Sequence, residues 1–393
     1  MSKTPSIAVI PSGYKASKVY SVLPTNGDAD LDFTRNCEAT RVNQNGLIET
    51  VGLNVPRLDY SDGGCPSLLL EPQRTNQFLQ SNQFDTSWST SGTIISGQSG
   101  VGGSNNAWKH TNSSQSSGLT QVNTVSGEQT VSIYFKKNAD YGVRIFAFGD
   151  VNCSSYFDLD NGLVVSESNS NSKIEIVDSE WFRCSMTFNQ TNTQIILYTT
   201  DNSTNQVVGD ITIQYSQLEE GSYATSYIST SASPVTRFKD EASKDNLESY
   251  INSSEGVLYF DSKVFDDNIN RWISLSDGTQ SNVIEFRYTS VDNQIRCKYT
   301  ISSSVNADLI TLVSDSLQFN KFAFKWKNND FSLWVNGVEV DNEIAGVTTS
   351  FNVTTLSFNL ANIGSTNFQG KVKDLRVYNE ALTDAELIEL TTI

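Results

Sequence analysis

The stretch FAFKWKNNDFSLWVNGVEV, residues 322–340, carries two runs in which apolar and polar side chains alternate. In an extended chain successive side chains point to opposite faces, so Phe322, Phe324 and Trp326 share one side. Between the halves of FSLWVNGVEV stand Asn336 and Gly337, and both tolerate the positive φ that a two-residue type I′ turn demands. A β-hairpin is predicted there. Working outward, QTVSIYFKK repeats the pattern, with Val131, Ile133 and Phe135 on one side and Ser132, Tyr134 and Lys136 on the other. Similar short runs recur about every ten residues with Asn, Gly, Ser and Asp between them, which is the pattern of a sandwich or barrel. One helix is signed at the end of the chain. In LTDAELIEL, Thr383 and Glu386 form a T-x-x-E capping box, and Leu382 and Leu387 stand at hydrophobic-staple spacing.

The fold class that follows is mainly β. Two antiparallel β-sandwich domains are expected after a small β-rich N-terminal segment, with a short C-terminal helix. At 393 residues the chain is long enough for two or three domains. The divisions fall at residues 1–66, 67–238, 239–250 and 251–393. The first is rich in turns, with a hairpin in ATRVNQNGLIETV around Asn45-Gly46. The second begins at the leucine triplet Leu68, Leu69 and Leu70, expected to be its first strand. FKDEASKDNLES, charged and poor in aromatics, makes 239–250 a connector.

The charge balance excludes some functions. With 27 basic and 44 acidic residues the net charge is −17, a field that repels phosphate backbones and anionic headgroups. Nucleic acid and membrane insertion are therefore not expected. MSKTPSIAVIPSGYK has no apolar run of signal-peptide length, and no stretch approaches the roughly 20 apolar residues of a span. Synthesis as a soluble protein in a cytoplasm is expected.

Catalytic and metal patterns are sparse. Cys37, Cys65, Cys153, Cys184 and Cys297 are odd in number and irregularly spaced, so they read as small apolar side chains and not as a disulfide or zinc framework. The one histidine, His110, has no second imidazole or thiol nearby in sequence to build a metal site or triad with. In EIVDSE, Glu175 and Asp178 fall on opposite faces of a strand while Asp178 and Glu180 share one, which is wrong for the E-x-D-x-x-E pattern of sandwich glycosidases. The segment reads as a strand end and its turn.

Binding fits better, because a pyranose offers one apolar face and a rim of hydroxyls to an aromatic platform flanked by polar groups. The candidates are Trp88, Trp108, Trp272 and Trp334; Trp181, in EWFRCSMTF, reads as strand core. A second group of residues lies in PRLDYSDGGCPSLLLEPQRTN, residues 56–76. Its prolines and Gly63-Gly64 mark a junction. Arg57 and Arg74 are placed to pair there with Asp59 or Glu71, or with Glu219 and Glu220 if the domain's last strand returns beside its first.

The order SGYKASKVYSVLP, DFTRNCEATRVNQNGLIETV, NVPRLDY, CPSLLLEPQRTN, EWFRCSMTF and QLEEGSYATSYI resembles tailed-bacteriophage fibre or receptor-binding proteins whose central part is a carbohydrate-binding-module jelly roll. The resemblance covers residues 6–240 or so. The third region, through NDFSLWVNGVEV and GKVKDLRVYNEALTDAELIEL, is similar to concanavalin-like, laminin-G-type sandwiches. What this implies is a non-enzymatic virion appendage, on tail or head, that adheres to a glycan of the host surface. It also implies a homotrimer, docking to other virion proteins through residues 1–66, and a structural calcium ion. No heptad run, triple β-helix repeat or glycine-rich shaft is present, so a short globular appendage is expected in place of a long fibre. Two alternatives stand beside this reading: a virion-associated polysaccharide depolymerase, and an architectural decoration or adaptor protein.

Overall fold

The computed structural model describes residues 3–191, 194–347, 349–361 and 367–393. The chain divides into two compact units. The first comprises Met1–Glu38, Val51–Pro72 and Phe238–Ile393, and the second Ala39–Thr50 and Gln73–Arg237. All the named strand pairs are antiparallel, and one α-helix, Asp384–Thr391, follows the last strand. The expected fold class is therefore observed.

In the first unit an eight-stranded sheet runs in the order Val338–Glu343, Phe331–Val335, Asn320–Lys327, Glu255–Val264, Gly370–Tyr378, Ser67–Leu70 and Arg57–Asp59, and Ile7–Val9 also pairs with Gly370–Tyr378. A nine-stranded sheet runs from Tyr14–Lys15 through Lys18–Val19, Leu31–Thr34, Glu241–Lys244, Thr355–Ser357, Arg271–Ser276, Val283–Tyr288 and Gln294–Ile301 to Ser304–Leu312. Their inner faces share one core, in which Ile7, Leu31, Phe33 and Leu68 from the N-terminal region pack with Leu258, Phe260, Phe286, Phe322 and Trp326. The ring centroids of Phe260 and Phe286 lie 4.2 Å apart.

This arrangement corrects two expected boundaries. Residues 1–66 are not a separate segment, because Ile7–Val9, Arg57–Asp59 and the strands from Tyr14 to Thr34 join the two sheets of the C-terminal sandwich, while the hairpin of Ala39–Val42 and Ile48–Val51 stands outside both sheets. Nor is 239–250 a plain connector, since Glu241–Lys244 is an inner strand between Leu31–Thr34 and Thr355–Ser357. The leucine triplet moves as well: Leu68, Leu69 and Leu70 pair with Val372, Lys371 and Gly370, some three hundred residues away, and not with the second unit's strands. Local pattern shows that a strand forms; it does not show which distant strand completes its hydrogen bonds.

The predicted hairpin is present. Asn336 and Gly337 have φ of 50° and 85°, and Val335 pairs with Val338 across them. The capping box is present too, with the Thr383 side chain accepting from the Glu386 N–H and the Glu386 carboxylate accepting from the Thr383 N–H. Leu382 and Leu387 pack together with Trp334 and Tyr259 where the helix covers part of the eight-stranded sheet.

In the second unit a six-stranded sheet runs in the order Gly92–Gln98, Ala107–Asn112, Asp210–Glu220, Ser126–Lys136, Trp181–Thr191 and Ser170–Ile176. A five-stranded sheet runs in the order Leu119–Val122, Gln194–Thr200, Gly142–Phe148, Cys153–Asp158 and Leu163–Ser168. Val131, Ile133 and Phe135 meet Val143, Ile145, Ile195 and Leu197 in the core. The outer face of the six-stranded sheet is covered as well: Tyr134 and Trp181 pack with Val101, Ala107 and Ile48, the last from the hairpin of Ala39–Val42 and Ile48–Val51.

Candidate functional site

Three of the four tryptophans singled out as platforms lie inside. Trp88 is 6% exposed and packs against Phe78 and Phe84, with ring centroids at 4.9 and 5.2 Å. Trp108 is half-buried and donates its indole N–H to the Asn82 carbonyl at 3.0 Å. The ring of Trp272, 7% exposed, has the Arg287 guanidinium 5.6 Å from its centroid. Trp334, 4% exposed, sits against the C-terminal helix and donates to Ser332 Oγ. Three of the four thus present no open ring face to a sugar.

The charged residues of the 56–76 stretch fall into separate networks. In the first unit Arg57 Nη1 pairs with Glu71 Oε2 at 2.5 Å and Arg57 Nη2 with Asp240, whose other oxygen receives Arg35 Nη1 at 3.1 Å. All four side chains are buried. Asp59 and Asp62 both receive the Lys371 ammonium, at 2.8 and 2.6 Å, and Lys263 also pairs with Asp62. Burial opposes the charge on Lys371, yet the two carboxylates together raise its pKa. In the second unit Arg74 Nε lies 3.7 Å from Glu219 Oε2, so the last long strand does return beside the chain's entry to this unit.

His110 is buried in the second unit with Nε2 2.7 Å from Thr90 Oγ1, and burial lowers its pKa to about 4. The fold therefore holds the neutral ring, while an unfolded chain takes up its proton near pH 6.5. Because the folded value is depressed, this stabilisation is complete above pH 6.5 and is lost as the pH falls towards 4. Wild type should lose on the order of 3 kcal/mol over that window relative to His110→Gln, measured by denaturant unfolding at pH 7 and pH 4.5. Equal pH dependence in the two proteins would show that His110 is not held neutral. Among the described residues no group of three or more His, Cys, Asp or Glu is placed to hold a metal ion.

The open surface lies on the outer face of the five-stranded sheet, and it is built by alternation. Along Gly142–Phe148, Val143, Ile145 and Ala147 point into the core, which turns Arg144, Phe146 and Phe148 outward. Ile195 and Leu197 point inward on one neighbouring strand, so Gln194, Ile196 and Tyr198 share the outer face; Tyr156 joins it from the other. Register sets the layout. Arg144 lies directly between Tyr198 and Tyr156, Phe146 opposite Ile196, and Phe148 opposite Gln194. The Arg144 guanidinium carbon is 4.2 Å from the ring centroid of Phe146, 5.2 Å from Tyr156 and 5.7 Å from Tyr198. Phe148 is 50% exposed and Val122, at the rim, 72%. Such a surface offers ring faces, an aliphatic floor and polar edges within one patch, which is the chemistry that a sugar ring needs.

The search for platforms by tryptophan missed these residues. VRIFAF carries large or charged side chains on both faces of one strand, and that doubled pattern is the signal that was there to be read.

A cleft of about 450 Å³ lies in the first unit beside the C-terminal helix and is lined by Tyr259, Asp261, Lys321, Lys373, Asp374 and Arg376 among others. Asp374 accepts twice from Arg376, at 3.1 and 2.6 Å. Burial raises the pKa of Asp261 in spite of Lys373 and Lys321. Tyr259 and Tyr378 are buried there, so the cleft offers charges but no open ring.

Comparison with known proteins bears on the first unit. Residues 258–388 match a family model described as laminin G type, of the concanavalin A-like lectin/glucanases superfamily. This part of the chain is a concanavalin-like, laminin-G-type domain. Among solved structures the chain is similar to the carbohydrate-binding module of the Ruminococcus gnavus IT-sialidase, bound to α2,3-sialyllactose, with 19% identity over 36% of this chain and 84% of that one, at a TM-score of 0.31. It is also similar to domain 4 of the Geobacillus stearothermophilus arabinanase AbnA, in complex with arabinotriose, with 15% identity over 44% and 84% at a TM-score of 0.32. The receptor-binding domain of a botulinum neurotoxin C/D mosaic serotype matches with 14% identity over 38% of this chain and 40% of that chain, at a TM-score of 0.32. No curated protein matches the chain.

Proposed function

We propose that the protein is a carbohydrate-binding adhesion protein whose binding surface is the outer face of the five-stranded sheet. The observation that carries this reading is the row of Phe146, Phe148, Tyr156 and Tyr198 on that face, Phe148 exposed and the other three half-buried, while the outer face of the other sheet in the same unit is covered. A structural role for the rings would place them against a neighbouring element, as Ile48 and Val101 stand against Tyr134 and Trp181. The concanavalin-like match of residues 258–388 agrees with a sugar-related function without assigning it to a unit.

The wider setting rests on the resemblance to bacteriophage fibre and receptor-binding proteins over residues 6–240. In this reading the chain is a virion appendage that attaches to a glycan of the host surface, works as a homotrimer, and meets other virion proteins through its N-terminal residues 1–66. Three weak sites on one particle raise avidity without stronger contacts at each.

The test is a glycan array probed with the intact chain, followed by titration of the strongest binder. Phe146→Ala and Tyr198→Ala are each expected to weaken binding about tenfold, since one ring contact is worth about 1–1.5 kcal/mol. Unchanged affinity in both, with the fold intact by circular dichroism, would remove the reading. Light scattering on the same sample checks the trimer, which requires three times the 43.4 kDa chain mass.

A further inference from the structure

We infer that Arg144 reads a carboxylate, so that the sugar taken by this face is an acidic one. The inference rests on the proposed function and adds the chemical class of the ligand. Six other arginines, Arg35, Arg41, Arg57, Arg74, Arg296 and Arg376, pair with carboxylates, whereas Arg287 in the first unit, like Arg144, lies against an aromatic ring with its Nε unpartnered. Arg144 has neither an ion pair nor a protein hydrogen bond among the described residues, and its Nε is buried with no partner.

Its surroundings hold the guanidinium without satisfying it. Both cross-strand neighbours are tyrosines, and Phe146 lies two positions along its own strand, so three rings face the cation and no carboxylate does. Asp158, two positions along from Tyr156 on the neighbouring strand, is already used: it accepts from the N–H groups of Asp160 and Asn161 and from the Asn161 side chain. Ring contacts attract the cation and restrict its rotamers, but they supply no acceptor for its N–H groups. A planar donor fork held in place beside ring faces is matched by a carboxylate, which accepts two parallel N–H bonds while the sugar ring lies on the aromatic row. The chain's overall charge of −17 works against anions at long range, so an acidic ligand needs such a local cation to be held at all.

The experiment uses matched pairs of oligosaccharides, each a carboxylate-bearing sugar and its carboxyl-reduced counterpart, with sulfated sugars as a third arm. They are titrated against the whole chain and against Arg144→Met, which keeps the aliphatic stem. The acidic member of a pair is expected to bind at least about tenfold more tightly than the reduced one, and Arg144→Met to erase that difference. The preference should also shrink as salt is raised. Equal binding of both members, or a preference that survives Arg144→Met, overturns the inference and leaves the sugar-binding reading standing. Sulfated sugars binding better than carboxylated ones overturn the carboxylate assignment. Absence of binding to every arm overturns both.

Discussion

Asp240→Ala is expected to destabilise the first unit by about 3–5 kcal/mol. Asp240 lies between two buried arginines, and its side chain has no contact with solvent. One oxygen receives Arg35 and the other receives both Arg57 and the backbone N–H of Glu71. Removing the carboxylate takes from Arg35 its ion partner, leaving it the carbonyls of Cys37 and Gly52, and takes from Arg57 one of its two carboxylate partners, the other being Glu71. Burying an uncompensated cation costs more than the pair itself contributes, and that is why the loss should be large. For contrast, Glu180→Ala removes the exposed pair with Lys136 and should cost less than about 0.5 kcal/mol. Denaturant unfolding of the two variants beside the wild type checks both numbers; a loss below about 1 kcal/mol for Asp240→Ala would mean that the network is hydrated in solution.

Deleting residues 1–66 has the largest expected effect, which is loss of the first unit's fold. The deletion removes Ile7, Val9, Val19, Leu31 and Phe33 from its core, all nearly or fully buried. At about 1.5–3 kcal/mol each, these five side chains alone contribute about 7–15 kcal/mol, as much as the whole stability of an ordinary domain. The edge hydrogen bonds of Glu241–Lys244 and Gly370–Tyr378 are lost with them. The truncated chain should therefore lose the cooperative unfolding transition of the first unit. A truncated protein with that transition intact would contradict the placement of the N-terminal strands in the two sheets.

What was legible in the sequence follows from range. The Asn336-Gly337 turn and the Thr383–Glu386 box are specified by residues within a few positions of one another, and both are found as read. The β class was equally plain, because alternation is a local property. Partnership across the sheets was not. Leu68–Leu70 reads as a strand of the region it introduces, but its hydrogen bonds go to Gly370–Val372. Asp240, in a segment that reads as a charged connector, turns out to bind the arginines of two earlier stretches. Of the ion pairs weighed for the junction, Arg57 with Glu71 and Arg74 with Glu219 are present, whereas Asp59 goes to Lys371. The binding face escaped for a different reason. Tryptophan is the largest platform a sugar can use, but it is also the side chain with most to gain from burial, and Trp88, Trp272 and Trp334 went inside. Phe146, Tyr156 and Tyr198 lie outward because their strand neighbours Ile145, Phe157 and Leu197 had already claimed the core.

The central claim is that a sugar binds on the five-stranded sheet of the second unit, and backbone hydrogen exchange of the whole chain with and without a saturating bound oligosaccharide tests it most directly. The account predicts slowed exchange in Gly142–Phe148, Cys153–Asp158 and Gln194–Thr200, with the first unit unchanged. Protection confined to the strands Glu255–Val264 and Gly370–Tyr378, around the charged cleft, would contradict it.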